Sequence, residues 1–243
     1  MNNNPVFIVG IPRSGTTLLA AMLGAHSRLS CGPETRFFHK HLTKGKAKWI
    51  CTKHLWPENA VKFLFSFKHI MGKSIPENYG ISENKIRSYL EKCRPSIPVV
   101  LSALTEQYMQ SIGKKRWIEK TPNHLLDVDK LRYYFPKSPI IRIIRDPRDV
   151  ALSLERMPWG PNSFLKALLL CKEYHDKSWK VFERDEYTYT IRYENLIISP
   201  EMELIKLCNF LEEGFEKNML NTGDSLLHVN RANEEVNLLL VES

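Results

Sequence analysis

The sequence predicts an α/β fold: a single three-layer domain over residues 1–243, in which a central, mostly parallel β-sheet lies between layers of helices. Short apolar segments with the composition of buried strands alternate with longer amphipathic segments along the chain. The segment PIIRIIR (139–145) is the strongest strand, because an isoleucine-rich run is typical of a parallel strand covered on both faces. The length of 243 residues suits one sizeable core.

The first half of the chain begins with a predicted strand at 6–9 and a helix at 16–25. A short extended piece follows at 28–31. The pattern is then mostly helical from about residue 58 to residue 109, with breaks at GKSIPENYG and RPSIP. Because this interval lies between two strand-like segments, residues of about 50–112 are predicted to form a helical insertion.

The second half returns to alternating strands and helices. Thr121 is a predicted N-cap, with Pro122 at the first helical position. The predicted elements are a strand at Arg116–Lys120, a helix at 121–135, the strand at 139–145, a helix at 146–157 that begins near Asp146, a helix at 164–182, a strand that opens YTYTIRYENL (187–196), and a helix at Pro200–Leu211.

The segment VFIVGIPRSGTTLLAAML (6–23) has the shape of a phosphate-binding loop between a strand and a helix. Gly15 lets successive N–H groups point at one oxyanion, and the helix that follows adds partial positive charge. Arg13 supplies a full charge, and Thr17 a hydroxyl donor. Thr16 replaces the lysine of ATP and GTP enzymes, which disfavours a metal–triphosphate ligand. The alternative is a glycine turn without a ligand.

The candidate site lies at one edge of the predicted sheet. Ligands of parallel α/β sheets bind beyond the carboxyl ends of the strands, and loop 10–17, Lys120, Arg145 and Tyr193 all lie at or just past such ends. The net charge of +8 favours an anionic partner without choosing one. Nucleic-acid binding has no supporting motif beyond this basicity.

Five motifs occur in an order that resembles the PAPS-dependent sulfotransferases (PAPS is 3′-phosphoadenosine 5′-phosphosulfate). They are PRSGTT (12–17), CGPETR (31–36), EKTP (119–122), RDPRDVALS (145–153) and RYENL (192–196). The chain is most similar to the branch with the protein-tyrosine sulfotransferases and related bacterial enzymes. This resemblance implies a P-loop-like nucleotide-binding fold and an enzyme of the EC 2.8.2 class. Such an enzyme moves a sulfuryl group from PAPS to a hydroxyl acceptor, which is a glycan, a peptide tyrosine or a small alcohol, and releases PAP.

The resemblance also assigns the donor-binding residues. The 5′-phosphosulfate would be held by Arg13, Ser14, Gly15, Thr16 and Thr17. Arg145 and Ser153 would hold the 3′-phosphate, with Tyr193 near the adenine. For Ser153, a small helix residue without a function is the alternative, and Arg148 is either a solvated helix residue or a second contact to the 3′-phosphate.

Three residues are catalytic candidates by the same resemblance. Glu34 would be the general base, and Lys120 and Arg13 would stabilise the leaving phosphate. In-line sulfuryl transfer depends on positioning and charge stabilisation and requires no metal. The alternatives are that Glu34 is an ordinary loop carboxylate paired with Arg13 or Arg36, and that Lys120 is a surface lysine. Pro33 stands where the family often has a second acid.

The remaining sequence features concern the cellular location of the protein and metal binding. The scattered, odd set of five cysteines favours reduced thiols and a cytoplasmic setting. The start of the chain lacks a signal-peptide pattern, and no apolar run approaches the ~20 residues that span a bilayer. His39, His41, Cys51 and His54 fit no usual zinc spacing, so no metal is predicted. The basic stretch 40–48 is a solvated loop or attracts an acidic acceptor.

The last segment, 214–243, departs from the family pattern. Many members continue into a basic loop over the 3′-phosphate, whereas Arg231 is the sole cation of residues 221–243. We therefore expect a shortened nucleotide lid. This tail favours a binding-only, degenerate relative that holds PAP or PAPS without turnover, whereas intact Glu34, Lys120 and Arg13 favour an active enzyme. A P-loop kinase is a third possibility, which the missing lysine opposes.

Overall fold

The computed structural model describes residues 3–39, 42–66 and 72–221. The strands are β1 (Val6–Gly10), β2 (Leu29–Cys31), β3 (Arg116–Lys120), β4 (Ile140–Ile144) and β5 (Thr188–Arg192). The α-helices of the described residues are α1 (Thr16–Gly24), α2 (Lys44–Ile50), α3 (Glu58–Ser66), α4 (Ile75–Asn78), α5 (Glu83–Glu91), α6 (Ile97–Ser111), α7 (Val128–Tyr134), α8 (Pro147–Glu155), α9 (Phe164–Arg184), α10 (Tyr193–Ile198) and α11 (Pro200–Leu211). Short 3-10 helices lie at Lys53–Leu55, Pro122–Asp127 and Lys217–Leu220.

The five strands form one sheet in the order β2-β3-β1-β4-β5, and all of its pairings are parallel. The register pairs Ile8 of β1 with Lys120 of β3, and Gly10 of β1 with Ile143 of β4. All five carboxyl ends therefore meet at one edge. The predicted α/β fold with a mostly parallel sheet is confirmed.

The central strand β1 divides the core into two halves, because its side chains alternate between the faces of the sheet. Phe7 and Val9 pack with buried residues of α3, α5, α6 and α7. Val6 and Ile8 pack on the other face with α1, α10 and α11. Both faces are thus covered by helices, which explains why β1 is buried throughout and apolar up to Gly10. Helices α2 to α6 occupy the chain between β2 and β3.

The helix predicted at 121–135 is wrong as a single element. The chain forms the 3-10 helix Pro122–Asp127 and then α7, with a change of backbone direction at Asp127 (φ −120°). Thr121 does precede the first turn, but its hydroxyl caps no N–H of that turn. It donates instead to the Glu119 carboxylate. The Thr121 hydroxyl also accepts from the Arg36 N–H, so the prediction of a capping threonine missed one local and one long-range contact.

Candidate active site

The β1–α1 loop approaches its neighbours too closely for side chains at its glycines. Gly15 has φ +102°, and a Cβ there would lie 2.4 Å from Cδ2 of Tyr193. A Cβ on Gly10 would lie 2.7 Å from the Ser14 hydroxyl oxygen. Arg13 is also left-handed, with φ 74°. This geometry turns the chain sharply, so that the first N–H groups of α1 face the carboxyl edge of the sheet.

Two buried hydrogen-bond donors at this edge, the Ser14 hydroxyl and Nε of Arg145, have no partner in the described part of the chain. Oε2 of Glu194, an acceptor, also has no hydrogen-bond partner there. Ser14 is only 1% exposed. Since buried polar groups are nearly always paired in folded proteins, both atoms suit a bound anion that accepts from the hydroxyl and the guanidinium.

Four of the predicted donor-binding residues form one contact chain. Nε of Arg13 donates to the Ser153 hydroxyl at 3.0 Å. Nη1 of Arg145 donates to the Arg13 carbonyl oxygen at 3.4 Å. The Arg145 guanidinium also lies 4.5 Å from the centroid of the Tyr193 ring, and Nη2 of Arg145 lies 3.6 Å from the Asp149 carboxylate. Residues far apart in sequence thus build one basic cluster beside the loop.

The predicted catalytic pair forms a direct ion pair. Nζ of Lys120 donates to Oε1 of Glu34 at 2.7 Å. The Lys120 side chain is 1% exposed, whereas that of Glu34 is 20% exposed. Nε of Arg36 lies 3.9 Å from the other Glu34 oxygen. The expected alternative of a Glu34–Arg13 pair is wrong, because Lys120 is the nearest cation, and Lys120 is not a surface lysine.

The Lys120–Glu34 ion pair and the basic cluster are separate groups of contacts. Among residues 3–39, 42–66 and 72–221, no hydrogen bond or ion pair joins Glu34 or Lys120 to Arg13 or Arg145. Lys120 sits beside Ile8 on the neighbouring strand, and the loop begins two residues later at Gly10. The arrangement leaves an anion-binding loop next to a carboxylate that is partly open to solvent.

Comparison with known proteins identifies the family. A model described as the sulfotransferase family matches residues 5–217. The chain belongs to the sulfotransferase family. The resemblance seen in the sequence is thereby confirmed at the level of the family.

Individual relatives of this sulfotransferase-family chain are distant. Nodulation protein NoeE of Sinorhizobium fredii is 29% identical over 154 residues, which are 63% of this chain and 31% of that protein. A putative protein-tyrosine sulfotransferase of Caenorhabditis briggsae is 26% identical over 224 residues, 89% of this chain and 68% of that protein. The chain thus spans less than a third of the first relative and about two thirds of the second.

The solved structures agree with the fold. The sulfotransferase domain from the curacin biosynthetic pathway superposes with a TM-score of 0.65 at 21% identity, covering 96% of this chain and 82% of that domain. A likeness at this identity speaks for the fold alone.

One further charged residue of this candidate site, Glu119, was given no role from the sequence. Glu119 precedes Lys120 on β3 and is fully buried, with hydrogen bonds from Thr35, Thr121 and His124. Burial by itself raises the pKa of this carboxyl, but the neighbouring His124 and these hydrogen bonds outweigh it and lower the pKa below the ordinary value. A glutamate inside a segment predicted to be a buried strand, with a histidine five residues later, was the available signal.

The helical region contributes to the site through Tyr79. Its hydroxyl donates to the Pro33 carbonyl oxygen at 2.6 Å, and a Cβ on Gly32 would lie 2.4 Å from its ring. Tyr79 thus supports the loop just before Glu34.

The cysteines of the chain are unpaired. Burial raises the pKa of the Cys31 thiol to about 12, so this cysteine is neutral. All five cysteines are free thiols.

The remaining predictions fall outside this cluster. Arg148 is 76% exposed and pairs with Asp146 at 2.5 Å, as a solvated helix residue does. His39 lies 3.2 Å from Asp127, while His41 and the tail with Arg231 lie outside the described residues. Within the described ranges, no group of three or more His, Cys, Asp or Glu residues could hold a metal, and no helix combines the length and apolar character needed to cross a membrane.

Proposed function

We propose that this chain transfers a sulfuryl group from PAPS to the hydroxyl of an acceptor and releases PAP. The observation that carries this proposal is the pairing of two features at one sheet edge. One is the loop–Arg145 cluster with its unpartnered Ser14 hydroxyl and Arg145 Nε. The other is the Lys120–Glu34 ion pair on the neighbouring strand.

For the donor, two separated anionic groups need two separated sets of donors. Residues 13–17 would bind the 5′-phosphosulfate through the loop N–H groups, the Ser14 hydroxyl and the charge of Arg13. Arg145 and Ser153 would bind the 3′-phosphate, with Tyr193 near the adenine. The hydrogen bond from Nε of Arg13 to the Ser153 hydroxyl places the two sets of donors next to each other, as one nucleotide with two phosphate groups requires.

For the transfer step, the S–O bond to the leaving phosphate breaks while the acceptor oxygen bonds to sulfur. The acceptor proton passes to Glu34, and the negative charge that grows on the departing PAP phosphate is stabilised by Lys120 and Arg13. The Lys120 ammonium, 2.7 Å from Oε1, would hold the Glu34 carboxylate in position for this proton transfer. The partial exposure of Glu34 leaves room for an acceptor hydroxyl.

Nucleotide binding tests the donor assignment. We expect PAP to raise the melting temperature and ATP with Mg²⁺ to raise it much less, because the loop lacks the P-loop lysine. Calorimetry with PAP and with 5′-AMP isolates the 3′-phosphate, and Arg145→Ala should abolish the preference for PAP. Arg94→Ala, an exposed arginine outside the site, is the matched control. Equal shifts with PAP and ATP would contradict the assignment.

Turnover tests the role of Glu34. A screen of PAPS consumption over glycans, tyrosine peptides and small alcohols identifies an acceptor. Glu34→Gln should then retain PAP binding and lose turnover by ~10²–10⁴-fold, the usual contribution of a general base. Glu91→Gln, an exposed glutamate of α5, should change neither. Unchanged turnover in Glu34→Gln removes Glu34 from the mechanism, and PAP binding without any turnover favours the binding-only alternative.

Two features of the whole chain are also proposals. We infer a cytoplasmic setting from the cysteine pattern, which cell fractionation tests. We further infer that residues 50–112 are an insertion in one domain that spans the chain, for which two separate unfolding transitions in calorimetry would be contrary evidence.

A further inference from the structure

The buried Glu119 carboxylate is the centre of a hydrogen-bond network behind Glu34. Its Oε1 accepts from the Thr35 N–H at 3.3 Å, the Thr35 hydroxyl at 2.7 Å and the Thr121 hydroxyl at 2.6 Å. Its Oε2 lies 2.9 Å from Nδ1 of His124. An ionised carboxylate has about four acceptor positions, so Glu119 is fully satisfied.

The ring of His124 extends this network to the next loop residue. Nε2 of His124 accepts from the Phe38 N–H at 3.1 Å. Because Nε2 accepts, the ring proton of the neutral imidazole is on Nδ1, where it is donated to Glu119. His124 is fully buried, and both of its nitrogens are used.

Four consecutive N–H groups of the loop after Glu34 are held by side chains. Those of Thr35 and Phe38 bond to Glu119 and His124. The Arg36 N–H donates to the Thr121 hydroxyl oxygen at 3.1 Å, and the Phe37 N–H to the Thr35 hydroxyl oxygen at 3.2 Å. This segment belongs to no helix or strand, and Arg36 has φ 50°. Its shape therefore depends on the side chains that satisfy its backbone.

We propose that Glu119, Thr121 and His124 are positioning residues that hold residues 35–38 and thereby aim Glu34 at the acceptor hydroxyl. Glu119 and Lys120 are consecutive residues of β3, so their side chains leave the strand in opposite directions. Lys120 binds the Glu34 carboxylate, and Glu119 binds the main-chain N–H of the next residue, Thr35. This inference rests on the proposed role of Glu34 as general base.

The matched variants Thr121→Val and Thr121→Ser test the inference. Valine keeps the shape but removes the hydroxyl that donates to Glu119 and accepts from Arg36, whereas serine keeps the hydroxyl. With the acceptor found by the PAPS screen, we expect kcat of Thr121→Val to fall about tenfold or more, because small misplacements of a catalytic group are costly. The KM for PAPS and the affinity for PAP should change less than about twofold. Thr121→Ser should restore kcat.

Amide hydrogen exchange gives a readout that does not depend on activity. Exchange at residues 35–38 should accelerate about tenfold or more in Thr121→Val and return towards the wild-type rate in Thr121→Ser. The pair Thr35→Val and Thr35→Ser repeats the comparison if Thr121→Val does not fold. Wild-type kcat in the valine variants, or unchanged exchange at 35–38, overturns the positioning role. A wild-type protein that binds PAP and transfers no sulfuryl group overturns the proposed function, and the catalytic purpose of the network with it.

Discussion

Strand β3 carries a buried cation at each end, and the two ends differ in what surrounds the charge. Arg116 at the amino end and Lys120 at the carboxyl end are each 1% exposed. Arg116 donates to the carbonyl oxygens of Asn4 and Leu211 and to Glu213, whose carboxylate is itself buried. Lys120 donates to Glu34, whose carboxylate is partly open to solvent.

The difference separates a structural charge from one available for chemistry. At the amino end both partners of the ion pair are buried, and Arg28 adds a second bond to Glu213 at 2.9 Å. The Glu213 carboxylate is therefore closed to solvent, although Nη2 of Arg116 has no hydrogen-bond partner among the described residues. At the carboxyl end the Glu34 carboxylate is partly open to solvent, and the same edge carries two unpartnered donors, the Ser14 hydroxyl of the loop and Nε of Arg145 after β4. The carboxyl edge is also where ligands of open parallel α/β sheets bind.

The largest effect is expected at the structural end. Arg116→Met leaves the buried Glu213 carboxylate with one cation fewer, so the free energy of unfolding should fall by about 3–5 kcal/mol, as when one partner of a buried pair is removed. Urea unfolding measures the loss, and Arg94→Met serves as the exposed control. Turnover per folded molecule should be unchanged. A loss below about 1 kcal/mol would break the comparison, because such a value is typical of a surface pair.

The next effect is expected at the functional end. Lys120→Met should lower kcat by ~10²–10³-fold, the usual cost of one charge-stabilising donor. It should destabilise the fold less than Arg116→Met does, because the released Glu34 carboxylate can be hydrated. Urea unfolding and PAPS turnover, measured on both variants, distinguish a structural role from a role in turnover. Equal destabilisation with intact turnover would mean that both ends of β3 are structural.

A smaller effect sharpens the comparison at the loop. Gly15→Ala places a Cβ against the Tyr193 ring and forces a left-handed backbone on alanine, which costs about 1–2 kcal/mol. Displacement of Tyr193 disturbs the Arg145 stack, so PAP affinity should fall by roughly tenfold, as calorimetry would measure. Gly45→Ala is the matched control, since its Cβ meets nothing within 4 Å. Similar PAP affinities in the two variants would contradict this role of Gly15.

The smallest effect concerns Asp146, a half-buried acid at the carboxyl edge. The side-chain hydrogen bond from Arg148 holds the pKa of Asp146 down at about 2, against 3.8 for the ordinary group. A lowered folded-state pKa means that the contribution of Asp146 to stability is present above pH 3.8 and is lost as pH falls towards about 2. Acid unfolding of Asp146→Asn should lack this loss, whereas the exposed-site control Asp129→Asn should keep it. Identical acid curves for Asp146→Asn and wild type would rule out the coupling.

The sequence predicted much of the fold because its signals are local. The strand Arg116–Lys120 and the helix Pro200–Leu211 have the predicted bounds, and Pro200 at the first helical position marks the start of that helix directly. The grouping of Arg13, Arg145, Ser153 and Tyr193 was also within reach, because the carboxyl ends of parallel strands share one edge. The motifs and their order were sufficient to predict the family.

Tertiary structure alone decided the partners of the charged residues. The sequence offered Arg13 or Arg36 as the partner of Glu34, and Arg36 does lie 3.9 Å from one of its oxygens. The shorter contact comes from Lys120, because the register of β2 on β3 brings the following loop onto Lys120 and Glu119. The sequence likewise predicted that the Thr121 hydroxyl caps a helix, whereas this hydroxyl donates to Glu119 and accepts from the Arg36 N–H. Secondary structure follows from neighbours along the chain, whereas a buried charge is paired by whichever residue the packing of distant segments delivers.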